Sequence, residues 1–135
     1  MKKLLILLSS LFLLNSPSVF AETVLYCQSE LATGFIQKND SWKVTNFKLK
    51  RLTIKFNSDY SKLSGLSKYQ DYICSEPYGE NSIACTDEFK SGRSFLFSKE
   101  KKRFVYSSIS SHGGYDLNLP NADTETIYAG TCTSF

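Results

Sequence analysis

Apolar and polar residues alternate with a period of two at the end of the segment running from Trp42 to Phe56. Leu52, Ile54 and Phe56 fall on one side, Thr53 and Lys55 on the other. A strand with one face in a core and the other in water has that period. Upstream the parity breaks twice. Trp42 and Val44 share one parity, Phe47 and Leu49 take the other, and Leu52 restores the first. Each break predicts a turn or a bulge, near Asn46 and near Lys50 and Arg51. A bent or hairpinned β segment follows, and the rest of the chain is read around it.

The remaining pattern is also β-like. Residues 23–28 and 33–37 read as short strands, and residues 38–41 as a turn by composition. Within residues 57–67, Tyr60, Leu63 and Leu66 recur every third position, but Gly65 and the serines favour a single helical turn or an irregular loop. Residues 69–74 and 83–86 read as strands. Residues 94–109 predict a hairpin with an aromatic face, Phe95 and Phe97 going out and Phe104 and Tyr106 returning. Residues 107–120 are loop-like, and residues 126–132 form a closing strand. The sum is an all-β fold of roughly seven to nine short strands, a small antiparallel barrel in the first instance and a β-sandwich in the second.

Residues 1–21 stand outside this pattern. Lys2 and Lys3 precede an apolar run from Leu4 to Leu14, Pro17 breaks it, and Val19-Phe20-Ala21 has the form of a cleavage site. That is a secretory signal peptide, too short to span a bilayer, which takes about 20 residues. The expected mature chain is a single β domain, residues 22–135, with no transmembrane segment. Its charge differs from that of the whole sequence. With Lys2 and Lys3 gone, 14 basic residues face 13 acidic ones, a net charge of +1. Nucleic acid is therefore excluded as a partner, because the strong positive field it requires is missing.

All four cysteines lie in the mature part. An even count in a small exported chain predicts two disulfides. Three pairings are open. Cys74–Cys85 with Cys27–Cys132 is preferred, since Pro77, Gly79 and Asn81 let the intervening segment fold back and Cys27 and Cys132 sit near the two ends. A terminal-to-terminal cystine suits a barrel, whose first and last strands are neighbours. Zinc is disfavoured, as no two cysteines are closely spaced.

No catalytic constellation emerges. His112 is the only histidine, in the context Ser111-His112-Gly113-Gly114-Tyr115-Asp116, but these groups crowd one loop instead of converging on a rigid frame. Asp87 and Glu88, Glu76 and Glu80, and Asp123 and Glu125 read as solvated charges without a cleft. Two basic clusters, Lys48, Lys50, Arg51 and Lys55, then Lys99, Lys101, Lys102 and Arg103, read as turn and edge charges that discourage aggregation. No cofactor motif is present. Tyrosines on loops suggest recognition, and the candidate binding surface comprises Tyr115, His112, Trp42 and Tyr78.

The sequence Tyr26-Cys27-x-Ser29-Glu30, then Gly34-Phe35, Trp42, Phe47 and the closing Gly130-x-Cys132-x-x-Phe135, resembles an uncharacterised family of small secreted bacterial proteins with cystine-stapled β domains. It also bears a faint likeness to periplasmic lysozyme inhibitors. These carry a Ser-Gly-x-x-Tyr loop that enters the lysozyme cleft; Ser111 to Tyr115 would correspond, with His112 in place of the glycine. The expectation is an exported, non-enzymatic binding domain, periplasmic or secreted, with an envelope protein or polymer as partner. The alternatives are an inhibitor or immunity protein for an envelope enzyme and a small cell-wall-acting enzyme.

Overall fold

The computed structural model describes residues 21–38, 41–76, 81–109 and 124–134. Nine strands form one sheet: β1 (Thr23–Lys38), β2 (Ser41–Asn46), β3 (Arg51–Phe56), β4 (Lys62–Ser64), β5 (Tyr72–Ser75), β6 (Ser82–Asp87), β7 (Arg93–Ser98), β8 (Arg103–Ser108) and β9 (Thr124–Ser134). The order is β2-β1-β3-β4-β5-β6-β7-β8-β9, and β9 pairs back onto β1. Every pairing is antiparallel. Eight strands thus close a barrel, and β2 is an extra strand attached outside the ring. Of the two sheet architectures the sequence left open, this is the barrel.

β1 organises the closure. One of its edges carries β9 from Leu25 to Ile36. The other carries β3 along residues 23–28 and β2 along residues 33–38. The two short strands read from the sequence are therefore one strand. Their parity differs because the register slips between Ser29 and Leu31, leaving Glu30 as the extra residue of a β-bulge. Leu25, Cys27 and Ser29 point inward before it, and Ala32 and Gly34 after it. The two breaks expected near Asn46 and Lys50 mark the end of β2 and the start of β3. Between them the chain crosses from one half of β1 to the other. Two contacts hold the crossing: the Phe47 N–H donates to the Ala32 carbonyl at 2.9 Å, and Ser29 exchanges hydrogen bonds with the Lys50 main chain.

In residues 57–67 no helical turn forms. Short strand β4 lies there, bonded to β3 and β5. Leu63 is its one fully buried position. The 93–108 hairpin stands as the alternation predicts, with Phe95 facing Tyr106 and Phe97 facing Phe104 on the inner side.

The interior is filled by aromatic side chains. Phe95 stacks on Phe104 at 5.5 Å between ring centroids, Tyr106 on Tyr128 at 6.0 Å, and Phe56 on Phe97 at 5.8 Å. An eight-stranded barrel is just wide enough to be filled in this way. Cys27–Cys132 and Cys74–Cys85 both form, each joining directly facing residues of adjacent strands. The first staples the β1–β9 seam that closes the ring.

Candidate binding surface

Because side chains alternate along each strand, the registers also define rows on the outer wall. One row reads Ala84, Leu96, Val105, Ala129, Leu31 across β6, β7, β8, β9 and β1. All five residues are aliphatic. Leu31 is 69% exposed, Leu96 47% and Val105 41%. The adjacent row reads Thr86, Ser94, Ser107, Ile127, Thr33, again without a charge. Ser94 and Ser107 satisfy one another through a hydroxyl–hydroxyl bond of 2.6 Å. Five strands spaced about 4.8 Å apart make this uncharged belt roughly 19 Å long.

Leu96, Val105, Ala129 and Leu31 of the first row line a shallow groove of about 770 Å³ whose polar end holds Glu30, Arg103 and Thr131. The bulge presents Glu30 there, and the Thr131 hydroxyl donates to its carboxylate at 3.0 Å. Glu30 and Thr131 also border a second groove, of about 500 Å³, lined by Tyr26, Gln28, Arg51 and Thr53. A third hollow, of about 310 Å³, lies between Phe35, Trp42 and Glu125 on β1, β2 and β9. Phe35 faces both Val44 and Glu125 in the registers, so Val44 shares that side.

Ionisable groups inside the barrel serve the fold. Asp87 is 2% exposed at the end of β6. Its carboxylate accepts the Ser91 N–H at 2.8 Å and the Arg93 N–H at 3.1 Å. Burial pushes its pKa up, but the Ser91 and Arg93 N–H bonds, aided by the Arg93 charge, outweigh burial and leave it below the ordinary carboxylate value. Asp87 thus locks the β6–β7 turn as an anion. The Tyr72 hydroxyl is fully buried beside the Tyr106 phenol without a hydrogen bond of standard geometry, and burial first, then the interaction with that phenol, pushes its pKa up. Among the described residues no group of His, Cys, Asp and Glu is placed to hold a metal ion.

Of the residues singled out from the sequence, Trp42 is on the described surface, about half exposed at the end of the barrel where β1 turns into β2. His112, Tyr115 and Tyr78 lie outside the described residues. The end of β8 and the start of β9 lie at the same end of the barrel as Trp42, and the end of β5 and the start of β6 at the opposite end. The basic clusters do not form one positive surface. Lys50 lies 4.7 Å over the Tyr128 ring, Lys55 is 3.9 Å from Glu22, and Lys99 pairs with Glu76 at 2.7 Å.

Reasoning from the sequence missed the outer aliphatic row. Its signal is present, however. Phe95-Leu96-Phe97 and Phe104-Val105-Tyr106 are unbroken apolar triplets where a strand with a wet outer face would place a polar residue in the middle. No family model, curated protein or solved structure matches this chain.

Proposed function

We propose that this chain is an exported, non-enzymatic binding module that docks a protein partner on the outer wall of β1, β9, β8 and β7. The observation that carries the reading is the uncharged row Ala84, Leu96, Val105, Ala129, Leu31. Outer-wall pairs such as Leu96–Val105 contribute only roughly 0.2–1 kcal/mol each to the sheet, and side chains left about half exposed forgo most of the burial a core position gives. Contiguous patches of this kind mark interaction sites. The partner is a macromolecule because the barrel interior is occupied by its own aromatic rings, while the groove outside is long, shallow and aliphatic. Arg103 and Glu30 at one end supply polar contacts that fix the register of the complex. The two disulfides support an oxidising compartment, periplasmic or secreted.

The test is recovery of a partner from envelope extract by the oxidised protein, compared with Leu96→Asp and Val105→Asp. Both sites are about half exposed on the outer wall, so the variants fold, with a thermal midpoint lowered by the lost Leu96–Val105 contact and the poor strand propensity of aspartate. A single partner recovered by the parent and lost with both variants supports the reading. Recovery unaffected by both overturns it. Turnover of peptidoglycan by the purified protein would establish an enzyme instead. Stoichiometric lysozyme inhibition abolished by Tyr115→Ala would move the binding surface to the 109–123 segment. N-terminal sequencing that finds Glu22 first supports export.

A further inference from the structure

A closed barrel has no terminal strand, but among the described residues this sheet has one, β2. β2 ends the strand order, bonded to β1 on one side, and among the described residues no strand pairs with its other side. Its main-chain directions follow from the crossing contact. The Phe47 N–H reaches the Ala32 carbonyl, so Lys43 and Thr45, of the same parity, also turn their N–H and C=O toward β1. Trp42 and Val44 turn theirs outward, to the open edge. Such a row of main-chain donors and acceptors accepts an added strand.

The side chains of β2 describe the strand that fits. Trp42 and Val44 project on one face, 47% and 74% exposed, beside Phe35 and its hollow. Lys43 projects on the other and is exposed. Residues 41–56 hold five basic residues, Lys43, Lys48, Lys50, Arg51 and Lys55, and no acidic one. Among the described residues Lys43, Lys48 and Arg51 join no ion pair. A second copy of the chain is therefore a poor occupant. Antiparallel pairing of two β2 edges places Lys43 opposite or diagonal to its own copy, roughly 5–8 Å away on the same face, and β2 itself carries no carboxylate to offset it.

We propose that the β2 edge is a strand-addition site for an extended, acidic segment of another polypeptide. The added strand alternates apolar side chains, which cover Trp42 and Val44, with carboxylates, which sit beside Lys43. This site is separate from the aliphatic row on β7, β8 and β9, so either can fail without the other.

The probe is a capped eight-residue peptide alternating valine and glutamate, with a valine–lysine peptide as its counterpart. Amide exchange and chemical shifts of the isotope-labelled, oxidised protein are recorded with each. Expected are slowing of exchange at the Trp42 and Val44 amides by at least tenfold with the glutamate peptide, binding that weakens with salt, and no effect of the lysine peptide. Val44→Pro removes an outward N–H that the ladder to β1 does not use, so the variant folds and loses binding. Lys43→Glu leaves every main-chain group in place and reverses the preference toward the lysine peptide. Absence of protection at Trp42 and Val44 at millimolar glutamate peptide overturns the proposal. So does equal binding of both peptides, or a concentration-dependent dimer of the protein alone that Val44→Pro abolishes.

Discussion

Removing the two cystines separately isolates what each ring contributes. The pair Cys27→Ala and Cys132→Ala opens a loop with a sequence separation of 105, and the pair Cys74→Ala and Cys85→Ala one with a separation of 11. In the chain-entropy account these closures stabilise by about 4.7 and about 2.8 kcal/mol. The difference, about 2 kcal/mol, depends only on the ratio of ring sizes. Side-chain truncation largely cancels, since all four sulfurs sit inside the barrel at 9% exposure or less. The assay is urea unfolding followed by far-ultraviolet circular dichroism for the two double variants. With a slope of about 1.5 kcal/mol per molar, the Cys27/Cys132 variant melts about 1.3 M lower than the other. Equal midpoints, or the reverse order, would refute the ring-size reasoning and place the stabilisation in native contacts around each bridge.

Asp87→Asn removes the anion that receives the Ser91 and Arg93 N–H groups and costs about 1–3 kcal/mol in the same urea assay. Because the folded pKa of Asp87 lies below its unfolded value, near 3.9 for a free carboxyl, its contribution is complete above that value and is lost as pH falls through the folded pKa. The acid limb of the stability profile should therefore flatten in the variant; an unchanged limb assigns it to other carboxyls. Tyr72→Phe deletes a buried hydroxyl that lies beside the Tyr106 phenol without a hydrogen bond of standard geometry, and calorimetry should find the variant more stable by about 1 kcal/mol. A loss of similar size would mean the hydroxyl is satisfied. Gly130 stands opposite the bulge, and a methyl group there would lie 2.0 Å from the Gln28 carbonyl oxygen. Gly130→Ala should cost roughly 1–3 kcal/mol and speed amide exchange along the β1–β9 seam, because main chain must move to admit the side chain.

The legible parts of the fold are those carried by local signals. The 93–108 hairpin announces itself through Phe95, Phe97, Phe104 and Tyr106 on one parity with a lysine-rich turn between. The path from β2 to β3 shows as two parity breaks. The bulge at Glu30 was read as a gap between strands, because a one-residue slip mimics an interruption when its partner is unknown. β4 escaped notice since its three residues are held by neighbours on both sides and carry little propensity of their own. Trp42, named with the candidate binding surface, is about half exposed. The row Leu31, Ala129, Val105, Leu96 does not show in the same way: Ala129, Val105 and Leu96 sit in strands the alternation predicts, and Leu31 falls between two. Its members come from four separate segments, and only register sets them side by side.

The amino-acid order alone determined the class of fold, the expectation that all four cysteines pair, and the inward face of Phe56, Phe95, Phe97, Phe104 and Tyr106. Those follow from alternation, spacing and composition, which act within a few residues or through the ends of the chain. Closure of the ring by β9 on β1, the position of β2 outside it, and the uncharged belt on the outer wall were decided only in three dimensions. Each depends on which strand lies beside which and in what register. Hydrogen bonds between distant segments set that register, and no local run of residues records it.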